Sequence, residues 1–424
     1  MSTWRKRLAT AGLSVALVAG GIWVLNRLDE APLPHAERVT TTASLDIARG
    51  RYLARAGNCL ACHTRQGGVA FAGGRGIETP FGVIYAPNLT PDRETGIGAW
   101  SASEFWRALH NGRSRDGRLL SPAFPYPSYT RVTREDSDAI FAFLQSLPPV
   151  VQPSVPSRMR FPFNTQAALA VWRALYFRPG VFEPVPSRSA EWNRGAYLVQ
   201  GLGHCAACHS PRNAMGAVST DGRLSGGMAA GWYAPALNTS NEGGVAEWPR
   251  QDVVMLLGAG RSPRAAVSGP MAEVVYHSLQ YLSDADLQAM ADYLQALPPT
   301  DKVAAPRRPP SPASMQRGRA TYERQCVQCH GGEGQGDPEA FPPLAGNRAV
   351  MLENPVNLVH MVLRGGYLPA TGGNPQPHGM PPFLQRLSDA EVADVLSYIR
   401  NAWGNAASRV DTIDVHRARE GRDS

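Results

Sequence analysis

Three copies of one short pattern, Cys59-x-x-Cys62-His63, Cys205-x-x-Cys208-His209 and Cys326-x-x-Cys329-His330, use all six cysteines of the 424-residue chain. No cysteine is left over for a disulfide or a free thiol. A lone Cys-x-x-Cys could be a redox dithiol, and two such pairs could hold zinc. Neither accounts for a histidine at the same offset three times, and each Cys2His group is one ligand short of a zinc tetrahedron. Cys-x-x-Cys-His is the attachment signature of c-type heme. Its thiols add to the vinyl groups as thioethers, and the adjacent imidazole is placed to ligate the iron on the proximal side. Three covalent heme c groups are therefore expected. Cys59, Cys62, Cys205, Cys208, Cys326 and Cys329 would bind the cofactor, and His63, His209 and His330 would bind the metal.

The surrounding sequence repeats with the motif. Each unit opens on a short helix that leads into it: Arg49-Gly50-x-Tyr52, Arg194-Gly195-x-Tyr197, and Arg317-Gly318 with Tyr322. A loop rich in Gly and Pro follows, carrying Pro87-Asn88-Leu89, Pro235-Ala236-Leu237 or Pro342-Pro343-Leu344. Next comes an amphipathic segment ending in glycine, at 100–112, 248–260 and 354–366. The unit closes on a capped helix, begun by Thr133-x-x-Asp136, Ser283-x-x-Asp286 or Ser388-x-x-Glu391. Pro148-Pro149 and Pro298-Pro299 stop two of these helices. Strand signal is weak throughout, so the expected class is all-α, with three tandem c-type cytochrome domains, long loops and an N-terminal transmembrane helix. Domains of this size look under-built by burial alone, and a covalently fixed macrocycle would complete each core.

A low-spin electron-transfer heme needs a sixth ligand, usually a Met thioether. Met271 in Gly269-Pro270-Met271 follows Cys205 by 66 residues, and Met380 in Gly379-Met380-Pro381-Pro382 follows Cys326 by 54. Their shared register and flanking prolines mark both as metal ligands rather than core filler. His277 and His378 are the nearby nitrogen alternatives, read as solvent or propionate contacts. The matching loop of the first unit, Ser121-Pro122-Ala123-Phe124-Pro125-Tyr126, places Phe124 where Met is expected. No Met stands between Met1 and Met159. Phe cannot ligate iron, so the first site takes another ligand or none. His110 is the nearest imidazole and is expected to be an ordinary surface residue.

Arg5, Lys6 and Arg7 precede an uncharged stretch from Leu8 to Leu25. As a helix it spans about 27 Å, close to the ~30 Å hydrocarbon core of a bilayer. The basic flank stays cytoplasmic and sends the rest across the membrane. A cleaved signal peptide has the same n-region and h-region, but no clean Ala-x-Ala site follows, so an uncleaved anchor is expected. The net charge of +7 comes almost wholly from arginine, since Lys6 and Lys302 are the only lysines. Those arginines are scattered, and nothing in their pattern points to nucleic acid. No nucleophile triad, phosphate loop or dinucleotide fingerprint is present. Gly331–Gly336 follows a heme motif rather than a strand, so it is not a nucleotide loop.

Over nearly its full length the chain resembles the triheme cytochrome c subunits of membrane-bound periplasmic dehydrogenases. The matching pieces are Asn58-Cys59-Leu60-Ala61-Cys62-His63-Thr64, Thr79-Pro80-Phe81-Gly82, Asn88-Leu89-Thr90-Pro91-Asp92, Asn193–Leu198 and Gly203–Asn213. The resemblance implies a subunit that binds no organic substrate and is not an enzyme on its own. It would take electrons from a catalytic dehydrogenase partner and pass them to ubiquinone or a terminal oxidase. That partner would be a quinoprotein, a flavoprotein or a molybdenum hydroxylase. The resemblance implies Met in this loop for subunits serving alcohol and gluconate dehydrogenases, so Phe124 tilts the expectation towards a molybdenum-hydroxylase or aldehyde-oxidising partner. The expected plan is an anchor at 1–30, cytochrome domains at 44–149, 191–300 and 314–404, a connector at 150–190, a linker at 301–313 and a polar tail at 405–424. The connector's aromatics are expected to pack between domains. The rival readings, a peroxidase-like multiheme enzyme or a gas sensor, both rest on an open iron at the first site.

Overall fold

The structure, a computed structural model, describes residues 3–27, 30, 44–219, 223–300, 306–338 and 340–421. Two compact units emerge, one of residues 1–54, 62–183 and 214–217, the other of 55–61, 184–213 and 218–424. Most of the first repeat and of the connector thus fall in one unit, while the third repeat, most of the second and residues 55–61 with Cys59 fall in the other.

Each repeat is framed by a leading helix that crosses a closing helix. The leading helices are Ser44–Ala56, Ala190–Tyr197 and Pro312–Gln325, and the closing helices are Arg134–Gln145, Asp284–Gln295 and Asp389–Ile399. The crossings are close because a glycine sits at each. A Cβ at Gly50 would stand 1.8 Å from the Ala139 carbonyl oxygen, one at Gly195 1.9 Å from that of Ala289, and one at Gly318 2.2 Å from that of Asp394. The preceding arginine clamps the same crossing. Arg49 meets Asp136 at 2.5 Å, Arg194 meets Asp286 at 2.7 Å, and Arg317 meets Asp394 at 2.6 Å. This explains why Asp replaces Glu in two of the capping sequences. Asp136 and Asp286 stand at the third helical position and hold the arginine, while in the third repeat Glu391 completes the capping box and Asp394, one turn on, takes Arg317.

The leading helix meets its motif after nine residues from Gly50 to Cys59, ten from Gly195 to Cys205 and eight from Gly318 to Cys326. A π-helical turn at Leu198–Leu202 takes up the longer spacing of the second repeat, as such turns do when one residue is inserted into a helix. The middle helices Ala102–Asn111, Arg250–Ala259 and Val356–Arg364 end on Gly112, Gly260 and Gly365 at φ 58°, 77° and 69°. These are backbone angles that glycine adopts without a Cβ penalty. In the third repeat the stop comes one residue before the expected Gly366.

Several expectations need correction. The fold is not all-α: among the described residues, short strands of two to four residues form one three-stranded and three two-stranded sheets beside the helices. Such strands are too short to show a two-residue alternation. The connector packs against the first repeat. Its Arg158–Met159 pairs with the Gly82–Tyr85 strand of the first repeat, and Trp172 and Phe177 form a core with Tyr126 and with Ala217. The last segment is not merely a polar tail. Thr412–Glu420 is a helix whose Val415 and Ala418 lie, with Val410, in the third repeat's core. The end of the linker is likewise pinned, by Arg308 to Asp411 at 2.6 Å. Residues 301–305 lie outside the described residues.

The N-terminal helix Thr3–Leu25 contains one stretch, Arg7–Leu25, long and apolar enough to cross a membrane, and none of it is buried in the fold. Its end is fastened to the first unit. Asn26 is buried: its Nδ2 donates to the carbonyl of Ala170 at 2.9 Å, and its Oδ1 accepts from Arg173 Nε at 3.0 Å. Arg113 donates to the Asn26 carbonyl at 3.0 Å and pairs with Glu30 at 2.6 Å.

Candidate heme sites

One helical turn sets cysteines three apart on one face, and the motifs fold as such turns at Cys59–Cys62, Ala206–His209 and Val327–His330. In all three the first thiol is half-buried, the second is exposed, and none is in a disulfide. Each histidine turns its Nδ1 to a proline carbonyl: His63 to Pro87 at 2.8 Å, His209 to Pro235 at 2.8 Å, and His330 to Pro342 at 3.3 Å. That bond fixes the tautomer and ring orientation and leaves Nε2 for a metal. Burial lowers the pKa of all three imidazoles, against a partial rise from the proline bond. They are therefore held neutral, as ligation requires. Burial also pushes the Cys205 thiol up to about 12 and the Cys326 thiol up to about 11.

The residues present fit heme c. In the third repeat Cys326, Leu344, Leu358, Met380 and Leu384 stay partly exposed over one buried core, an apolar lining that a macrocycle would cover. The thiol expected to carry the attachment and the thioether expected on the far side thus rest on the same core. Among the described residues no group of three or more His, Cys, Asp or Glu converges to hold a bare metal ion.

Met271 is the second residue of the helix Pro270–His277, and Met380 ends the strand Gly379–Met380, paired with Gly366–Tyr367. Backbone bonds give the register of the first-repeat loop independently of the motif. The N–H of Leu120 donates to the Gly112 carbonyl at 2.8 Å and that of Val267 to the Gly260 carbonyl at 2.9 Å. Four residues on from these anchors stand Phe124 and Met271. The Phe124 ring lies 5.4 Å from Tyr129 and packs against the core of Tyr126, Trp172 and Phe177. His110 is not the surface residue expected. It is 6% exposed, stacks on Trp106 at 4.5 Å and donates from Nδ1 to the Thr130 carbonyl at 2.9 Å. His277 lies edge-on to Tyr276 at 4.8 Å, and His378 lies 5.1 Å from Phe341.

The proline carbonyls were visible in the sequence only as landmarks. Their pairing with the histidines spans 24, 26 and 12 residues, and only its recurrence in every repeat could have revealed it. The arginine clamps carried a clearer signal, since the arginine always precedes the crossing glycine.

The cytochrome c family profile matches residues 47–148 and 315–403, the first and third repeats. The cytochrome c subunit of alcohol dehydrogenase (quinone) from Gluconacetobacter polyoxogenes is 39% identical over 88% of this chain and 84% of that one. The gluconate 2-dehydrogenase cytochrome c subunit from Pantoea cypripedii is 40% identical over 86% and 87%. A nicotinate dehydrogenase subunit from Pseudomonas putida is 43% identical over 87% of this chain, which spans 32% of that longer protein. With its histidines bound to prolines as an iron-ligating imidazole needs, and with relatives matched over most of both lengths, the chain belongs to the cytochrome c family.

Proposed function

We propose that the chain is the non-catalytic electron-transfer subunit of a membrane-bound dehydrogenase complex, carrying three covalent heme c groups on the periplasmic side of the inner membrane. What carries this reading is the threefold Cys-x-x-Cys-His with its imidazole turned to a proline carbonyl. That it occurs in a chain matching cytochrome c subunits of dehydrogenases nearly end to end points to the assembly. Cys59, Cys62, Cys205, Cys208, Cys326 and Cys329 form the thioethers, and His63, His209 and His330 are the fifth ligands. Met271 and Met380 are the sixth ligands of the second and third sites, and Phe124 denies the first a thioether. Bound heme supplies one-electron ferric–ferrous exchange. The chain's own residues fix each ring plane, exclude water from the apolar lining and tune potential by ligand type and burial.

Electrons arrive from a quinoprotein, flavoprotein or molybdenum-hydroxylase partner and leave to ubiquinone or a terminal oxidase. The N-terminal helix is an uncleaved anchor, a reading supported by the buried bonds of Asn26. A leader removed after export would contribute no such bonds to the mature fold.

Purification from detergent-solubilised membranes tests the proposal. A dehydrogenase should co-purify, its substrate should reduce the chain, and the polypeptide after acid-acetone extraction should carry three heme masses. Two retained hemes on the natural chain would overturn the three-site reading. Peroxide turnover by the isolated subunit would instead make it an enzyme.

A further inference from the structure

The connector helix Gln166–Tyr176 is built the wrong way round for water. Its exposed positions beyond the first turn's Gln166, namely Ala167, Val171 and Leu175, recur every four residues and are all apolar. Val171 is 41% exposed and Leu175 61%. The only charged residue of the helix, Arg173, is turned inward and is 3% exposed. A helix facing solvent places its charges outward and its apolar stripe on the core. Here the inward face is already filled: Trp172 donates to the Met215 carbonyl at 2.9 Å and lies 6.4 Å from Tyr126.

What covers the outward stripe follows from its neighbour. The end of the membrane-length helix touches the middle of this one, through Asn26 to the Ala170 carbonyl and Arg173 to Asn26. Trp23, 63% exposed with Arg27 over its ring at 5.6 Å, marks the same end. Trp and Arg take such positions where a span leaves the hydrocarbon. The apolar stripe therefore lies on a helix that is fastened to the apolar span at the level where that span emerges.

We propose that Gln166–Tyr176 is an interfacial helix, with Ala167, Val171 and Leu175 seated in the outer surface of the lipid bilayer. Such helices sink ~5–10 Å into the boundary between headgroups and acyl chains. The inference rests on the N-terminal helix being a retained anchor. It adds that the first unit lies against the membrane rather than swinging from a tether. The Phe124 loop, packed on the inner side of this helix, is then about one helix diameter, ~10–12 Å, from the bilayer surface. A lipid-dissolved electron acceptor can approach that closely.

The six native thiols are consumed as thioethers in the heme-loaded protein, so one added cysteine can be spin-labelled alone. Val171→Cys, Leu175→Cys, Leu17→Cys in the span and Val69→Cys elsewhere in the first unit are prepared as full chains in nanodiscs. Collision of each label with lipid-soluble oxygen and with a water-soluble nickel chelate is then measured. The labels at 171 and 175 should show the oxygen-rich, nickel-poor signature of the label at 17, and that at 69 the reverse. Nickel access at 171 and 175 with a lipid signature at 17 would overturn the seat and leave the anchor standing. Protection of 171 and 175 from both reagents would mean that protein covers the stripe, which also overturns it. Nickel access at 17 would remove the anchor itself, and the seat with it.

Discussion

A single side chain separates the first site from the other two. Phe124 has no donor atom, and its ring is held in an aromatic core rather than left at the surface. His110, the nearest imidazole, is buried against Trp106 with its Nδ1 on the Thr130 carbonyl, so Nε2 is the only ring nitrogen it could offer the first iron. The first iron should therefore differ from its neighbours in spin state or potential. With no sixth ligand, ferric spectra should show one high-spin center beside two low-spin ones, and carbon monoxide should bind one reduced heme per chain. With a nitrogen ligand such as His110 Nε2, the potential should instead fall below that of a Met-ligated site. Phe124→Met should convert that center towards the others, because a thioether completes low-spin ligation. Three low-spin, Met-ligated hemes in the natural chain would refute this. The neighbouring motifs allow a cleaner test of independence. His209→Ala should lose the proximal ligand of the second site alone, so the visible spectrum and redox titration of the intact protein should change for one heme and stay normal for the other two. The proposed attachment motif is legible directly, because heme c chemistry needs its cysteines and histidine adjacent in the chain. The burial of His110 could not, because its partner Thr130 lies twenty residues away.

The elements that frame these sites depend on close backbone approach more than on apolar bulk. At Gly195 the neighbouring Ala289 carbonyl already stands where a side chain would begin, so Gly195→Leu must push the leading and closing helices apart. Overpacking of this kind costs about 1–3 kcal/mol or more, and urea unfolding should show it, together with weakened retention of the second heme. Gly180 is the control. A Cβ there meets nothing within 4 Å, so Gly180→Ala should leave the midpoint unchanged. The helices were legible because caps, helix-ending glycines and double prolines are local signals. The C-terminal helix Thr412–Glu420 was not, since its buried side chains, Val415 and Ala418, are too few to make a stripe. Full burial of a valine such as Val415 is worth about 1.5–3 kcal/mol. Deleting residues 405–424 should accordingly lower the thermal midpoint of the third repeat, where a true polar tail would be silent.

At the scale of the whole chain, the question is whether the apolar N-terminus belongs to the mature protein or only to its export. Sequence alone left that to the absence of a cleavage site, because a signal peptide and an anchor share the same basic flank and apolar run. Asn26 supplies a sharper distinction. Its amide, its side-chain oxygen and its backbone carbonyl are all engaged inside the first unit, by Ala170, Arg173 and Arg113. Replacing it by leucine keeps the volume and the helix but strips the buried Arg173 Nε of its acceptor. An unsatisfied buried group costs about 1–3 kcal/mol, and more when it is charged. If the helix is retained, Asn26→Leu should lower the unfolding midpoint of the detergent-purified protein, and the intact mass should include the residues from the N-terminus through Leu25. Arg173→Met should do the same, and the double variant should cost less than the sum of the two, because the lost bond is one they share. If the segment is cleaved beyond this point, position 26 is absent from the mature chain. Asn26→Leu would then change nothing, Arg173→Met would act alone, and the protein would leave the periplasm without detergent.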